Sequence, residues 1–335
     1  MRITLVLGSG GARGYAHIGA IRELQERGHE IVAITGCSMG TVVGGMLAAG
    51  KLDEFEEWVR TVEVRDILRL LDPAIGAPGM IKAGRIMDML GTIVGDINIE
   101  ELELPFIAVA VDMAQRREVW FRSGPLLTAI RASIAIPTAF TPIMQDGRLL
   151  ADGGLLNPLP IAPAALMNAD GIVAVSLSGR YPEFGTASAL TYERADHSAE
   201  QRPGWAEKLL NNAGEFLGGA GVRELIDRIT SRDDADSESP SAVGGHGALT
   251  EKERIARLGR TPEPLPRSLK SIDMMTMALN TMQMSIEATR TAATPPDVLV
   301  SIPMDICGAF DFHRAAEIID VGRERAAAAY DEAGL

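Results

Sequence analysis

A serine set between glycines is the first place in this chain where chemistry can be expected. Gly36-Cys37-Ser38-Met39-Gly40 fits the pattern G-x-S-x-G. Nucleophilic acyl transfer needs a serine on a sharp strand-to-helix turn. Flanking glycines let the backbone cross tightly there, and the turn lifts the hydroxyl out of the sheet to a helix N-terminus. The five residues alone are a weak signal, because a glycine-rich turn whose Ser38 merely caps a helix would look the same. Context favours the nucleophile. Ile31-Val32-Ala33-Ile34-Thr35 reads as a buried strand, and Val42, Val43, Met46 and Leu47 recur at helical spacing up to Gly50.

A second glycine-rich turn, Gly8-Ser9-Gly10-Gly11-Ala12-Arg13-Gly14, follows the apolar run at residues 3–7. Two readings are open: a phosphate loop for a dinucleotide, or an oxyanion hole built from backbone N–H groups. A dinucleotide site wants an acidic residue closing the second strand, about 20 residues on. Thr35-Gly36-Cys37-Ser38 stands there instead, so the second strand delivers a hydroxyl beside a turn rich in donors.

Ser38 needs a base. Of the five histidines, His17 lies in the first helix, where packing or a local hydrogen bond is expected. His29 follows a helix-ending glycine and is expected to be exposed. His197 and His246 fall in a polar stretch, and His313 opens the last helix. None follows a strand as a triad histidine would. Asp152 does, after Leu149-Leu150-Ala151 and before Gly153-Gly154. A carboxylate serves as general base when burial or neighbours raise its pKa. In isolation, Asp-Gly-Gly reads more readily as a plain turn.

The elements that must position these groups alternate between strand and helix. Strands are expected at residues 3–7, 31–35, 105–111, 148–151, 171–177 and 297–302, with Val119-Trp120-Phe121 forming a hairpin with the third. Helices are expected after the two glycine turns, over 125–133 with Pro125 at the start, over 269–291, and over 312–330. Strands without polar alternation belong in a parallel sheet covered on both faces. One catalytic core, residues 1–180, is completed by 268–330. Between them, 181–267 reads as a polar insert, with a short helix near 205–230 and poor order over 232–266.

The 335 residues are 46% hydrophobic and 23% charged, enough for a sizeable core. With a net charge of −13 and no Lys/Arg-rich run, nucleic acid is not an expected partner. Two cysteines, Cys37 and Cys307, point away from a disulfide framework and suit a reducing cytosol. The apolar start is too short for a signal peptide and reads as a first strand. No apolar run is long enough for a membrane-spanning helix.

Taken together, residues 8–19 (Gly8-Ser9-Gly10-Gly11 through Gly19), Gly36-Cys37-Ser38-Met39-Gly40 and Asp152-Gly153-Gly154 resemble, in order and spacing, the three motifs of patatin-like phospholipases. Weaker echoes lie in residues 130–137 and in Leu156-Asn157-Pro158-Leu159-Pro160. The resemblance covers residues 1–180 and, loosely, 268–328. It implies a three-layer α/β/α fold with a mainly parallel sheet and a Ser38–Asp152 dyad. It also implies an oxyanion hole at Gly10 and Gly11 with Arg13 close by, and motif glycines at Gly14, Gly36, Gly40, Gly153 and Gly154. The implied activity is hydrolysis of a lipid or other acyl ester without metal or organic cofactor, by a cytosolic protein with peripheral membrane contact left open. A catalytically weak member that binds a lipid or partner is the rival reading. Two residues depart from the family pattern. Ser9 stands where glycine is usual, and its Cβ disfavours positive φ. Cys37 takes the place of a small residue such as Thr and is expected to pack, not react.

Overall fold

The computed structural model describes residues 1–74, 79, 81–137, 139–179 and 271–335. The expected polar insert, its helix near 205–230, the stretch 232–266, His197 and His246 lie outside the described residues. Two compact units divide the chain, Met1–Ala206 with Ala278–Leu335, and Glu207–Met277. The sheet and the residues considered below belong to the first; of the second, only the start of one helix is described.

An eight-stranded sheet forms the middle layer. Its strands are β1 (Arg2–Leu7), β2 (Glu30–Cys37), β3 (Phe106–Asp112), β4 (Arg117–Phe121), β5 (Ile143–Gln145), β6 (Arg148–Asp152), β7 (Gly171–Gly179) and β8 (Val298–Pro303). The order is β5-β6-β3-β2-β1-β7-β8, with β4 also paired to β3. The five strands from β3 to β8 run parallel, as continuous apolar runs demand. The β3–β4 hairpin, β6 and β5 are antiparallel.

Side chains alternate across the sheet and sort the helices into two layers. Ile3, Leu5, Leu7, Val173 and Val175 face a large core. It is covered by α1 (Ala16–Glu26), α2 (Met39–Ala48), α3 (Leu52–Thr61), α5 (Gly84–Val94), α6 (Leu126–Ser133) and α9 (Ala315–Ala333). Val6 and Ala174 face the other way, toward the short α7 (Ile161–Ala164). Ser176, on that same face, donates to Glu287 of α8 (Ser271–Ala293). The result is the expected three-layer α/β/α fold. A further helix, α4 (Val64–Leu70), lies between α3 and α5 in the chain. Among the described residues no helix is long and apolar enough to cross a membrane.

Register carries the motifs to one place. Leu7 pairs with Gly36, so the turns after β1 and β2 leave the sheet side by side. Cys37 pairs with Val109, and Ala110 pairs with Asp152 on antiparallel β6. The residue after Cys37 and the last residue of β6 therefore sit at the same level of β3.

The first and last helices fix one face by glycine contacts. A Cβ on Gly19 would lie 2.0 Å from the Ile319 carbonyl oxygen, and one on Gly322 would lie 2.1 Å from that of Ala16. The buried Tyr330 hydroxyl donates to Ala20 O at 3.1 Å. Gly322→Ala should therefore separate α1 from α9 and cost about 1–3 kcal/mol by overpacking, read as a lower urea midpoint. An unchanged midpoint would show that the helices can part freely.

Candidate active site

Ser38 ends β2 and caps α2 with φ 53° and ψ −121°, a conformation a residue with a Cβ adopts only under constraint. The constraint is hydroxyl-based. The Ser38 N–H donates to Ser133 Oγ at 2.8 Å, and that hydroxyl donates to Val109 O at 2.6 Å. Its single proton is thus committed, so the Thr41 hydroxyl must be the donor in its 2.8 Å contact with Ser133 Oγ. Gly36 and Gly40 allow the backbone crossing. A Cβ on Gly40 would lie 2.1 Å from Leu7 O, and one on Gly36 2.5 Å from Gly40 O.

Ser38 Oγ donates to Asp152 Oδ2 at 2.6 Å. The other carboxylate oxygen accepts from the Gly154 N–H at 2.7 Å. Both side chains are buried. Burial pushes the Asp152 carboxyl up to about 6, and the hydrogen bonds from Ser38 and Gly154 only partly offset it. Cys37 Sγ lies 4.0 Å from Asp152 Oδ1, and burial pushes its thiol well above the usual range, so it packs as a neutral thiol.

Most N–H groups of the first glycine turn are taken. Gly8 donates to Val175 O at 3.0 Å, Ser9 to Pro158 O at 2.8 Å and Ala12 to Ala309 O at 2.9 Å. Among the described residues, no backbone acceptor takes the N–H of Gly10 or Gly11. Gly11 has φ +58°, and a Cβ there would lie 2.5 Å from Ala309 O. Ser9, by contrast, is not among the positive-φ residues, so its Cβ brings no strain to the turn. Gly14 leaves room for the Met39 side chain, which its Cβ would meet at 2.1 Å.

Arg13 does its work on carbonyls. Nε donates to Gly10 O at 3.0 Å and Nη1 to Met304 O at 3.3 Å. The Gly10 C=O and the Gly11 N–H belong to one planar trans peptide and point in opposite directions. Holding the carbonyl therefore aims the Gly11 N–H away from the guanidinium. Arg13, expected close by an oxyanion hole at Gly10 and Gly11, thus lies on the carbonyl side of that peptide.

Among the described residues, no histidine is hydrogen-bonded to Ser38 or Asp152. His17 is buried, and its Nε2 donates to Gly8 O at 2.8 Å. Burial pushes it down to about 4, so it stays neutral and braces the glycine turn. His29, expected to be exposed, is half-buried and lies 3.4 Å from the N-terminal amine. His313 sits in the short turn before α9. Ser133 is the important residue that no motif announces; its only signal is its place in the weak echo at 130–137.

Ser38 also borders a cavity of about 110 Å³. Met39, Val42, Phe55, Trp58, Ile86 and Phe140 are on its wall, which apart from Ser38, Gly11 and Tyr15 is wholly aliphatic, aromatic or thioether. Much of this wall comes from α3, α4 and α5. Among the described residues, no group of three His, Cys, Asp or Glu side chains is arranged to hold a metal ion.

Comparison with known proteins agrees with this geometry. A family model described as patatin-like phospholipase matches residues 5–165. A Mycobacterium tuberculosis protein described as an uncharacterized NTE family protein is 41% identical over 343 residues, covering 98% of this chain and 91% of that one. The chain belongs to the patatin-like phospholipase family. A neuropathy target esterase of Drosophila persimilis is 32% identical over 165 residues, 47% of this chain and 11% of that protein. VipD from Legionella pneumophila aligns over 99% of this chain and 66% of its own, at 12% identity and a TM-score of 0.39, too distant to bear on function. The 5–165 match spans all three motifs of this patatin-like chain, from the turn after β1 to the end of β6.

The Ser133 clamp can be tested without an assay. Ser133→Ala strands the Ser38 N–H, Val109 O and the Thr41 hydroxyl in a buried place. It should cost about 1–3 kcal/mol in denaturant unfolding, whereas Thr41→Val, which removes only one donor, should cost less. Equal effects would mean that the hydroxyl bridging is not what holds the elbow.

Proposed function

We propose that this chain is a lipid acyl hydrolase in which Ser38 is the nucleophile and Asp152 the general base. The observation that carries the reading is the 2.6 Å contact from Ser38 Oγ to Asp152 Oδ2 at the edge of an apolar cavity. Membership of a phospholipase family supports hydrolysis of a lipid, and the apolar wall supports an acyl chain as the group beside the serine.

The steps follow from the contacts. Asp152 Oδ2 accepts the Ser38 proton as Oγ attacks the ester carbonyl carbon. The carbonyl oxygen becomes an oxyanion held by the N–H groups of Gly10 and Gly11, the latter set by Arg13's hold on the Gly10 carbonyl. When the C–O bond breaks, the proton on Asp152 passes to the leaving alkoxide. Asp152 then takes a proton from water, which attacks the acyl-enzyme. The fatty acid departs and Ser38 recovers its proton.

Ser38→Ala should abolish hydrolysis of p-nitrophenyl esters and labelling by a fluorophosphonate, and Asp152→Asn should lower kcat by about 10²–10⁴. Asn can still accept from Gly154 and donate to Ser38 but cannot take the proton. A histidine substitution in a well-folded protein that matched Asp152→Asn would sink the dyad.

The base must be ionised, so kcat should rise with pH through about 6. Stability moves the opposite way. A carboxyl whose folded pKa lies above its unfolded value holds its proton more tightly in the folded chain, so stability falls as pH rises from about 4 to 6. Above pH 6, Asp152→Asn should be more stable than the parent by on the order of 2 kcal/mol, and the difference should vanish in acid. Melting curves at several pH values check this; a pH-independent difference would contradict the buried ionisation.

A further inference from the structure

Val62, the residue that caps the C-terminus of α3, is on the wall of the apolar cavity beside Ser38. Val62 also lines a second, outer hollow of about 340 Å³, together with Glu63, Val64, Arg65 and His313. Among the described residues it is the one common to the two walls. Phe312 and His313, adjacent in the chain, divide in the same way: Phe312 lines the inner cavity and His313 the outer hollow. Val62 is buried, and it is bracketed by the end of α3 and by Glu63, which caps α4 with a reciprocal bond to Asp66.

We propose that Val62 is the gate that sets acyl-chain length, a partition between the inner cavity reached from Ser38 and the outer hollow. This inference rests on the acyl hydrolase reading and adds to it the feature that limits the chain. The chemistry on either side differs. Inside, each methylene added to the chain removes apolar surface from water against Phe55, Trp58 and Phe312. Beyond Val62 the lining includes the ionisable side chains of Glu63, Arg65 and His313, so further methylenes gain little. Catalytic efficiency should therefore rise with chain length until the tail reaches Val62 and then level off or fall. A smaller side chain joins the two spaces and moves that break to longer chains. A larger one moves it to shorter chains.

The test is kcat/KM for p-nitrophenyl esters from butyrate to palmitate, measured on the parent, Val62→Ala and Val62→Phe, with a melting curve on each. The expected result is a palmitate-to-octanoate ratio raised at least about fivefold in Val62→Ala and lowered by a similar factor in Val62→Phe. The opposed directions of the two variants exclude a general folding defect as the cause. If both variants melt near the parent temperature and hydrolyse all lengths in the parent's proportions, the gate is overturned while the hydrolase reading stands. If the parent turns over no ester and Ser38 takes no fluorophosphonate label, the hydrolase reading fails and the gate falls with it.

Discussion

A buried carboxylate held against a serine hydroxyl is the interaction on which the rest of this structure depends. Asp152 is buried, and burial alone disfavours its charge. Two donors partly offset that cost: the Ser38 hydroxyl on one oxygen and the Gly154 N–H on the other. These donors come from two turns, one with the positive φ of Ser38 and the other closely packed against β3. The elbow needs Ser133 and Thr41 behind it. The Gly153-Gly154 turn needs room, since a Cβ on Gly153 would lie 2.3 Å from Val109 O. The positive φ of Ser38 is a strain that the surrounding packing must over-determine.

One loop does much of that work. Residues 156–160 follow the Asp152 turn, and Asn157 closes back on it through its N–H to Gly153 O at 2.9 Å. Pro158 O accepts from Ser9 N–H, fixing the oxyanion turn, and Pro160 O accepts from the Thr35 hydroxyl at 2.8 Å, fixing β2. The loop is anchored in turn by Glu118 of β4. That carboxylate takes Asn157 Nδ2 at 2.9 Å, Trp120 Nε1 at 2.8 Å and the Arg290 guanidinium of α8 at 2.6 Å. The Asp152 turn, β2 and the first glycine turn therefore share one support, and a half-buried, multiply bonded carboxylate is a better anchor than an isolated surface pair.

The two layers over the sheet divide the labour. The loop and α8 cover one face and hold the polar machinery. On the other face, α3 to α5 close an apolar space over Ser38. The Ser38 hydroxyl borders this apolar, low-dielectric space, and the N–H groups of Gly10 and Gly11 meet no backbone acceptor among the described residues. There, two backbone N–H groups count for more than they would in water.

The local backbone was legible in the sequence alone. Apolar runs, ended by glycine after β1 and β2, predicted β1, β2, β3, β6, β7 and β8 close to their observed ends, and the three motifs named Ser38, Asp152 and the glycine turns. This works because strand burial and tight turns are set by neighbours a few residues away. The stretch from 52 to 94 carries no motif, so the helices that wall the cavity went unread. The roles of Asp152, Arg13, His17 and Ser133 needed the fold. Ser38 and Asp152 are 114 residues apart, and only sheet register brings them to one level. An Asp-Gly-Gly turn becomes a base only once desolvation raises its pKa, and desolvation is a property of everything packed around it. Side-chain types and glycine spacing can be written into a local stretch of chain; dielectric, hydrogen-bond partners and cavity walls are decided by segments far apart in sequence.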